Sequence, residues 1–344
     1  MTDKRKVFIL AAVIFALLCP EARAEGVDCS AACAVVMHSG GETVYEKNAD
    51  EKSLVASTTK LMTALVTVEE CPLTDTAEAT WEDCSVEGSS MYLRPGERYT
   101  VRQLLEGLLL ASGNDAASVL ARHVAGDQAA FAELMNRRAA VLGMVNSHFV
   151  NPHGLNAEGH YSTARDLALL MDRCMSHPVL AEILQMPSAQ IKGQTYVNHN
   201  KLLTSCDGCI GGKTGYTVAA GRCLVSCCER EGLRFICVTL NDPDDWDDHV
   251  RLYDWAFSAF REWDILRGVS FDVPLIGQSE QTACIEPAER PLIFAPTDTE
   301  FVLECDMPRF VFPPVAAGER AGEVRAYIAG KPIGAWPLVY VNGE

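Results

Sequence analysis

Residues 54–68 read Leu54-Val55-Ala56-Ser57-Thr58-Thr59-Lys60-Leu61-Met62-Thr63-Ala64-Leu65-Val66-Thr67-Val68. From Leu61 onward this is an apolar helical run, and Ser57 and Lys60 stand three residues apart at its start. Side chains at that spacing share one helix face, so the serine hydroxyl and the lysine amine can meet. A serine hydroxyl is a weak nucleophile that needs a neighbouring base. Lysine can be that base only when neutral, which requires its pKa to fall well below about 10.4. Burial and a second nearby cation both push it down. Aligned amides at a helix start, that of Ser57 among them, can stabilise an oxyanion. Taken alone, Ser-x-x-Lys is a weak signal, expected about once by chance in a chain of this length.

Two further motifs supply what the pair lacks. Ser112-Gly113-Asn114 falls between two predicted helices, Thr100 to Ala111 (with Leu104, Leu105, Leu108 and Leu109 at helical spacing) and Asp115 to Val124. Gly113 permits a tight turn that presents a hydroxyl beside an amide. Ser112 could then relay a proton and Asn114 hold a substrate amide. The plainer reading is a helix-helix loop capped by Asn114 or Asp115. Lys213-Thr214-Gly215 lies at the end of a predicted strand, Cys209 to Thr217. Glycine there allows close approach to the backbone, and an edge strand can bind an extended peptide. Lys213 and Thr214 would hold a terminal carboxylate, and Lys213 would be the cation that depresses Lys60. Its plainer reading is a surface lysine on a hairpin. The three motifs in this order, on a helix start, a helix junction and a strand, are far more specific than any one of them.

This set resembles the penicillin-binding serine transpeptidase superfamily, and within it the low-molecular-mass D-alanyl-D-alanine carboxypeptidases of the exported Gram-positive type. The resemblance covers nearly the whole chain after residue 24. It rests on Ala56 to Thr63, Ala111-Ser112-Gly113-Asn114-Asp115-Ala116-Ala117, Asn151-Pro152-His153-Gly154-Leu155, Lys213-Thr214-Gly215-Tyr216-Thr217, and Ala220-Gly221-Arg222-Cys223-Leu224. It implies that Ser57 is acylated by the penultimate D-alanine carbonyl of a peptidoglycan stem peptide, with release of the last D-alanine. Lys60 is then the acylation base, Ser112 a proton shuttle, and Asn114, Lys213, Thr214 and Gly215 the substrate-binding residues. The backbone amides of Ser57 and Tyr216 form the oxyanion hole, water deacylates the serine, and no metal or cofactor is required. Penicillins are expected to acylate the same serine. A DD-endopeptidase would use the same residues. A class A β-lactamase fits less well, because Gly113 stands where Asp is usual. A non-enzymatic peptidoglycan-binding protein would not need the six polar residues retained here.

Outward from the motifs, the chain reads as α/β (α+β): an antiparallel sheet flanked by helices, of the β-lactamase/transpeptidase type, over residues 25–268. Ala32–Met37 and Thr43–Lys47 are expected to form a hairpin. Gln128–Leu142 and Thr163–Ser176 read as further helices, Arg222–Cys228 and Phe235–Leu240 as sheet strands, and Asp244–Phe260 as a closing helix with acidic residues at its start. Past Gly268 short apolar runs recur between Pro and Gly: Phe271–Ile276, Leu292–Phe294, Phe301–Cys305, Gly322–Ile328 and Ile333–Val341. That texture predicts a small all-β sandwich over 269–344.

Of the 344 residues, 48% are hydrophobic and 22% charged, a globular composition. A formal net charge of −17 argues against nucleic acid as a partner, since phosphate contacts need a basic surface. Lys4, Arg5 and Lys6, the apolar run Val7–Leu18, Pro20 and Ala22-Arg23-Ala24 read as a secretory signal peptide, residues 1–24, cut after Ala24. The run is shorter than the roughly 18 residues of a membrane span. An exported monomer is expected. The chain ends at Val341-Asn342-Gly343-Glu344 without the amphipathic membrane helix often found in the family. Export favours disulfides, and one or two are expected near Cys206, Cys209, Cys223, Cys227 and Cys228, with reduced cysteines buried as small hydrophobes the alternative. A zinc site there is disfavoured because Cys227 and Cys228 are adjacent. Asp242 to Asp248 resembles a calcium loop only loosely and reads as a solvated helix N-terminus. His153 reads as a structural histidine in a turn, and His199 as a residue that could stand near the cleft.

Overall fold

The computed structural model describes residues 4–10, 27–277 and 281–341. Contacts divide the chain between Phe257 and Ser258. In the N-terminal unit the helices are α1 (Lys60–Glu70), α2 (Trp81–Cys84), α3 (Val101–Leu110), α4 (Asn114–Ala125), α5 (Gln128–Val141), α6 (Ala164–Met175), α7 (Pro178–Gln185), α8 (Leu202–Ser205) and α9 (Asp245–Ala259, which runs past the division). Local chemistry accounts for several of their ends. Thr100 caps α3 reciprocally with Gln103, Thr163 caps α6 through the Asp166 amide, and Asp127 caps α5 through the Ala130 amide. The short helices α2, α7 and α8 and the hairpin Ser188–Ile191/Gln194–Val197 are additions to the sequence reading.

The central sheet has five antiparallel strands in the order Thr43–Lys47, Cys33–His38, Leu233–Leu240, Gly221–Arg230, Cys209–Thr217. The hairpin at Gly40 and Gly41, both at positive φ, begins it, and the strand that carries Lys213 is its far edge. Lys213 stands opposite Val225, which stands opposite Val238, which stands opposite Val35. The three inner strands are apolar on both faces because each face is covered. The helix α9 covers one face: Tyr253 Oη meets Ser226 Oγ at 2.8 Å and accepts the Cys237 amide, and His249 bridges Ser226 and Thr239. The other face packs on α6, which in turn meets α1 at Cys174 and Leu61.

The acidic run at the start of α9 corrects the reading of a solvated terminus. Asp242, Asp245 and Asp248 are buried. Asp245 pairs with Arg222, and Ser30 Oγ donates to both Asp242 and Asp248, which ties the N-terminal segment to this helix. The cysteines follow the reduced alternative and not the expected disulfides. All thirteen described are thiols. Cys206 Sγ and Cys228 Sγ lie 3.7 Å apart, against about 2.05 Å for a disulfide.

The C-terminal unit has its own apolar core, with Ile285, Cys305, Val324, Ala326 and Leu338 fully buried. Its six-stranded antiparallel sheet runs Lys4–Leu10, Phe301–Pro308, Arg320–Ile328, Lys331–Tyr340, Thr282–Pro287, Phe271–Pro274. The sequence reading began this unit at residue 269. Phe260–Trp263 pairs with Ile293–Pro296, and Phe260 stacks on Phe294, which carries the sheet-rich unit back toward Ser258. Lys4–Leu10, part of the basic and apolar leader in the sequence reading, lies along Phe301–Pro308. Cys19, Pro20, the Ala22-Arg23-Ala24 cleavage site and residues 342–344 lie outside the described residues. No helix among the described residues is long and apolar enough to cross a membrane.

Candidate active site

Ser57 does not sit in the α-helix proper. It lies in a 3-10 turn, Ala56–Thr59, that feeds directly into α1. In such a turn side chains three apart eclipse one another, so Lys60 Nζ reaches Ser57 Oγ at 2.8 Å. Ala56 enters the turn at φ 47°, an uncommon conformation for a residue with a side chain. The segment Asn151–Leu155 holds it there. A Cβ on Gly154, itself at φ 85°, would fall 1.9 Å from the Ala56 carbonyl oxygen, so only glycine fits.

Lys60 is completely buried and uses all three of its donors. Besides Ser57 it donates to Asn114 Oδ1 at 2.7 Å and to the His153 carbonyl at 2.8 Å. Burial, and then the charge of Lys213, hold its pKa well below the usual lysine value, with Asp115 opposing. Lys213 is also buried, which brings it to about 7. It donates to Ser112 Oγ at 3.0 Å. The two lysines thus hold one serine each, and the three motifs meet in one place.

The second motif is fixed by the turn between α3 and α4. Ser112 is at φ 59°, and Asn114 is the first residue of α4. Asn114 Nδ2 donates to the Glu87 carbonyl, which orients its oxygen toward Lys60. Asp115 accepts from Ser90 Oγ and from the Met91 and Leu93 amides, binding the preceding loop to the helix start. Gly215 is constrained more mildly than Gly154. A Cβ there would stand 3.0 Å from the Ser57 amide nitrogen and from the Val55 carbonyl. The strand therefore passes close to the Ser57 turn, bringing the Ser57 and Tyr216 backbones to one end of the site. Tyr216 has its side chain in solvent, and Thr214 is half-buried.

All eight residues named from the sequence, Ser57, Lys60, Ser112, Asn114, Lys213, Thr214, Gly215 and Tyr216, lie on these three converging elements. Sequence reasoning missed three supports. The His153 carbonyl accepts a hydrogen bond from Lys60 Nζ, and Thr63 Oγ1 donates to the Pro152 carbonyl. His160, never singled out, meets Thr59 Oγ1 at 2.9 Å while its other nitrogen takes the Val150 amide. His153 and His160 are buried and pushed down to about 3 and about 4. They are therefore neutral, and the Lys60 charge contributes at His153. Burial, and then the Lys213 charge, lower the His199 pKa.

A buried lysine on a serine, a second lysine on a second serine, and an edge strand over the Ser57 turn are the arrangement of a penicillin-binding type of serine peptidase. The comparisons give the same class. The family model described as D-alanyl-D-alanine carboxypeptidase matches residues 20–244, and the chain belongs to that family. A D-alanyl-D-alanine carboxypeptidase of Mycobacterium tuberculosis is 40% identical over 215 residues, 59% of this chain and 74% of the relative. A crystal structure of a carboxypeptidase from the same organism superposes with a TM-score of 0.66 at 36% identity, over 70% of this chain and 96% of the other. Penicillin binding protein 5 of Haemophilus influenzae superposes with a TM-score of 0.72 at 25% identity, over 93% and 99% of the two chains. The activity is that of a serine D-alanyl-D-alanine carboxypeptidase, a cell-wall hydrolase.

Proposed function

We propose that Ser57 is the acylated residue and that the chain removes the terminal D-alanine from peptidoglycan stem pentapeptides. Neutral Lys60 takes the Ser57 proton as Oγ attacks the penultimate D-alanine carbonyl carbon. The oxyanion that forms is met by the Ser57 and Tyr216 amides. The peptide C–N bond then breaks, and the leaving amine takes a proton through Ser112. Lys213 and Thr214 hold the terminal carboxylate, Asn114 the substrate amide, and Gly215 leaves room for the peptide beside the strand. Water attacks the acyl-enzyme in the second step and releases the shortened peptide. β-Lactams acylate the same oxygen, because their carboxylate and strained amide meet the same groups. This work is done outside the cytoplasm by an exported monomer.

The observation that carries the reading is the 2.8 Å contact between Ser57 Oγ and the fully buried Lys60 Nζ, whose pKa is held down by burial and Lys213. The test compares wild type with Ser57→Ala on a pentapeptide ending in D-Ala-D-Ala, with a fluorescent penicillin as parallel label. D-Alanine release and labelling by wild type alone is the expected result. Labelling with cleavage of cross-linked dimers but no D-alanine release would make it an endopeptidase. Absence of labelling in folded wild type would overturn the acyl-enzyme.

A further inference from the structure

The two helices that carry Lys60 and Asn114 also meet at their other ends. Cys71 is the C-cap of α1, and His123 is in the last turn of α4. Between them stands Asp75. Its backbone is fixed by hydrogen bonds from its own amide to the Pro72 carbonyl and from the Val101 amide to its carbonyl. Cys71 Sγ lies 3.6 Å from Asp75 Oδ2, His123 Nε2 lies 4.0 Å from the same oxygen, and all three donor atoms fall within 4.8 Å of one another.

We propose that Cys71, Asp75 and His123 bind a thiophilic divalent cation of the zinc class, which clips the C-terminal ends of α1 and α4 together. The donor set is one thiolate, one carboxylate and one imidazole, the ligand types that zinc takes. Around a tetrahedral ion with bonds of about 2.0 Å to O and N and about 2.3 Å to S, ligand atoms stand roughly 3.3–3.5 Å apart. The Cys71–Asp75 separation is already close to that value, and the His123–Asp75 separation has to close by about 0.7 Å. Asp75 is about half exposed, at 47%, which leaves solvent access for a water as fourth ligand.

Binding breaks the Cys71 S–H bond, forms a sulfur–metal bond and sends one proton to solvent. The ion would stand about 16 Å along α1 from Lys60, at 1.5 Å rise per residue over its 11 residues, too far to touch substrate. Its role is to brace the helix pair whose opposite ends hold the Lys60–Asn114 contact.

The test is titration of the purified, reduced protein with Co(II) as the spectroscopic probe, followed by competition with Zn(II). The expected result is a thiolate-to-cobalt charge-transfer band saturating at one ion per chain and lost in Cys71→Ser. Binding should weaken at least about tenfold in Asp75→Asn and in His123→Ala. Cys206→Ser should leave the band intact, since Cys206 belongs to the separate thiol cluster with Cys228. Penicillin labelling of Ser57 in each variant shows that it is folded. No saturable band in the wild type, a band that survives Cys71→Ser, or one lost in Cys206→Ser would each overturn the proposal.

Discussion

Lys60 and Lys213 are both buried, Lys60 also feels the Lys213 charge, and the pH dependence follows from that. Below its depressed pKa Lys60 is protonated and cannot take the Ser57 proton, so acylation rises with pH through that value. Lys213, at about 7, loses its charge above that pH and with it the hold on a carboxylate. The penicillin acylation rate should therefore follow a bell with its falling limb near neutrality. In Lys213→Arg the guanidinium stays charged across this range, and the falling limb should move upward. An unmoved limb in that variant would assign it to another group. Lys60→Ala removes the base and should slow acylation roughly 10²–10⁴-fold. Ser57→Ala removes the nucleophile, and acylation should drop by about 10⁴-fold or more. Stopped-flow fluorescence with a labelled penicillin reads all of these rates.

At the scale of elements, the site depends on turns that supply backbone rather than side chains. Gly154 is at φ 85° and nearly touches the Ala56 carbonyl. Gly154→Ala should cost about 1–3 kcal/mol in urea unfolding and slow acylation, because the Ser57 turn must shift. A variant of wild-type stability and rate would show that the turn relaxes freely. The sheet depends in a similar way on α9. Tyr253→Phe leaves the Cys237 amide and the Ser226 hydroxyl short of a buried partner, at about 1–3 kcal/mol. Urea unfolding monitored by circular dichroism measures this directly. Helix positions were legible from leucine spacing, as at Leu104, Leu105, Leu108 and Leu109, and the caps at Thr100 and Thr163 came with the structure. Strand Phe260–Trp263 was not, because its aromatic residues continue the apolar pattern of α9 and only its pairing with Ile293–Pro296 separates it.

At the scale of the whole molecule, each unit buries its own apolar cluster, one around Leu65, Leu104, Leu167 and Ile236 and the other around Ile285, Val324 and Leu338. All the proposed catalytic residues lie before Phe257. A chain ended after Ala259 should therefore still fold and still be labelled by penicillin. Loss of labelling together with loss of the cooperative unfolding transition would show that the first core is incomplete alone. The acidity of the chain has a local use that its net charge conceals. Asp242, Asp245 and Asp248 are spent on Ser30, Arg222 and Arg251, inside the fold rather than on its surface.

The amino-acid sequence by itself determined the family, and it placed the three motifs on which Ser57 is proposed as nucleophile, Lys60 as its base and Lys213-Thr214-Gly215 as the carboxylate-binding strand. These functions demand particular side chains at particular spacings, and Ser57, Lys60, Ser112, Asn114, Lys213 and Thr214 are such side chains. The alternation of helix and strand was legible for the same reason, since burial imposes periods of 3.6 and 2 on residue type. Only the tertiary structure decided what holds these groups in place. The His153 carbonyl on Lys60, the Glu87 carbonyl on Asn114 and the approach of Gly154 and Gly215 to the Ser57 turn are backbone contacts. Every residue has a carbonyl, so such contacts leave no signal in residue identity. The depressed lysine pKa values likewise belong to burial and to the distance between two charges, which exist only once the chain has folded.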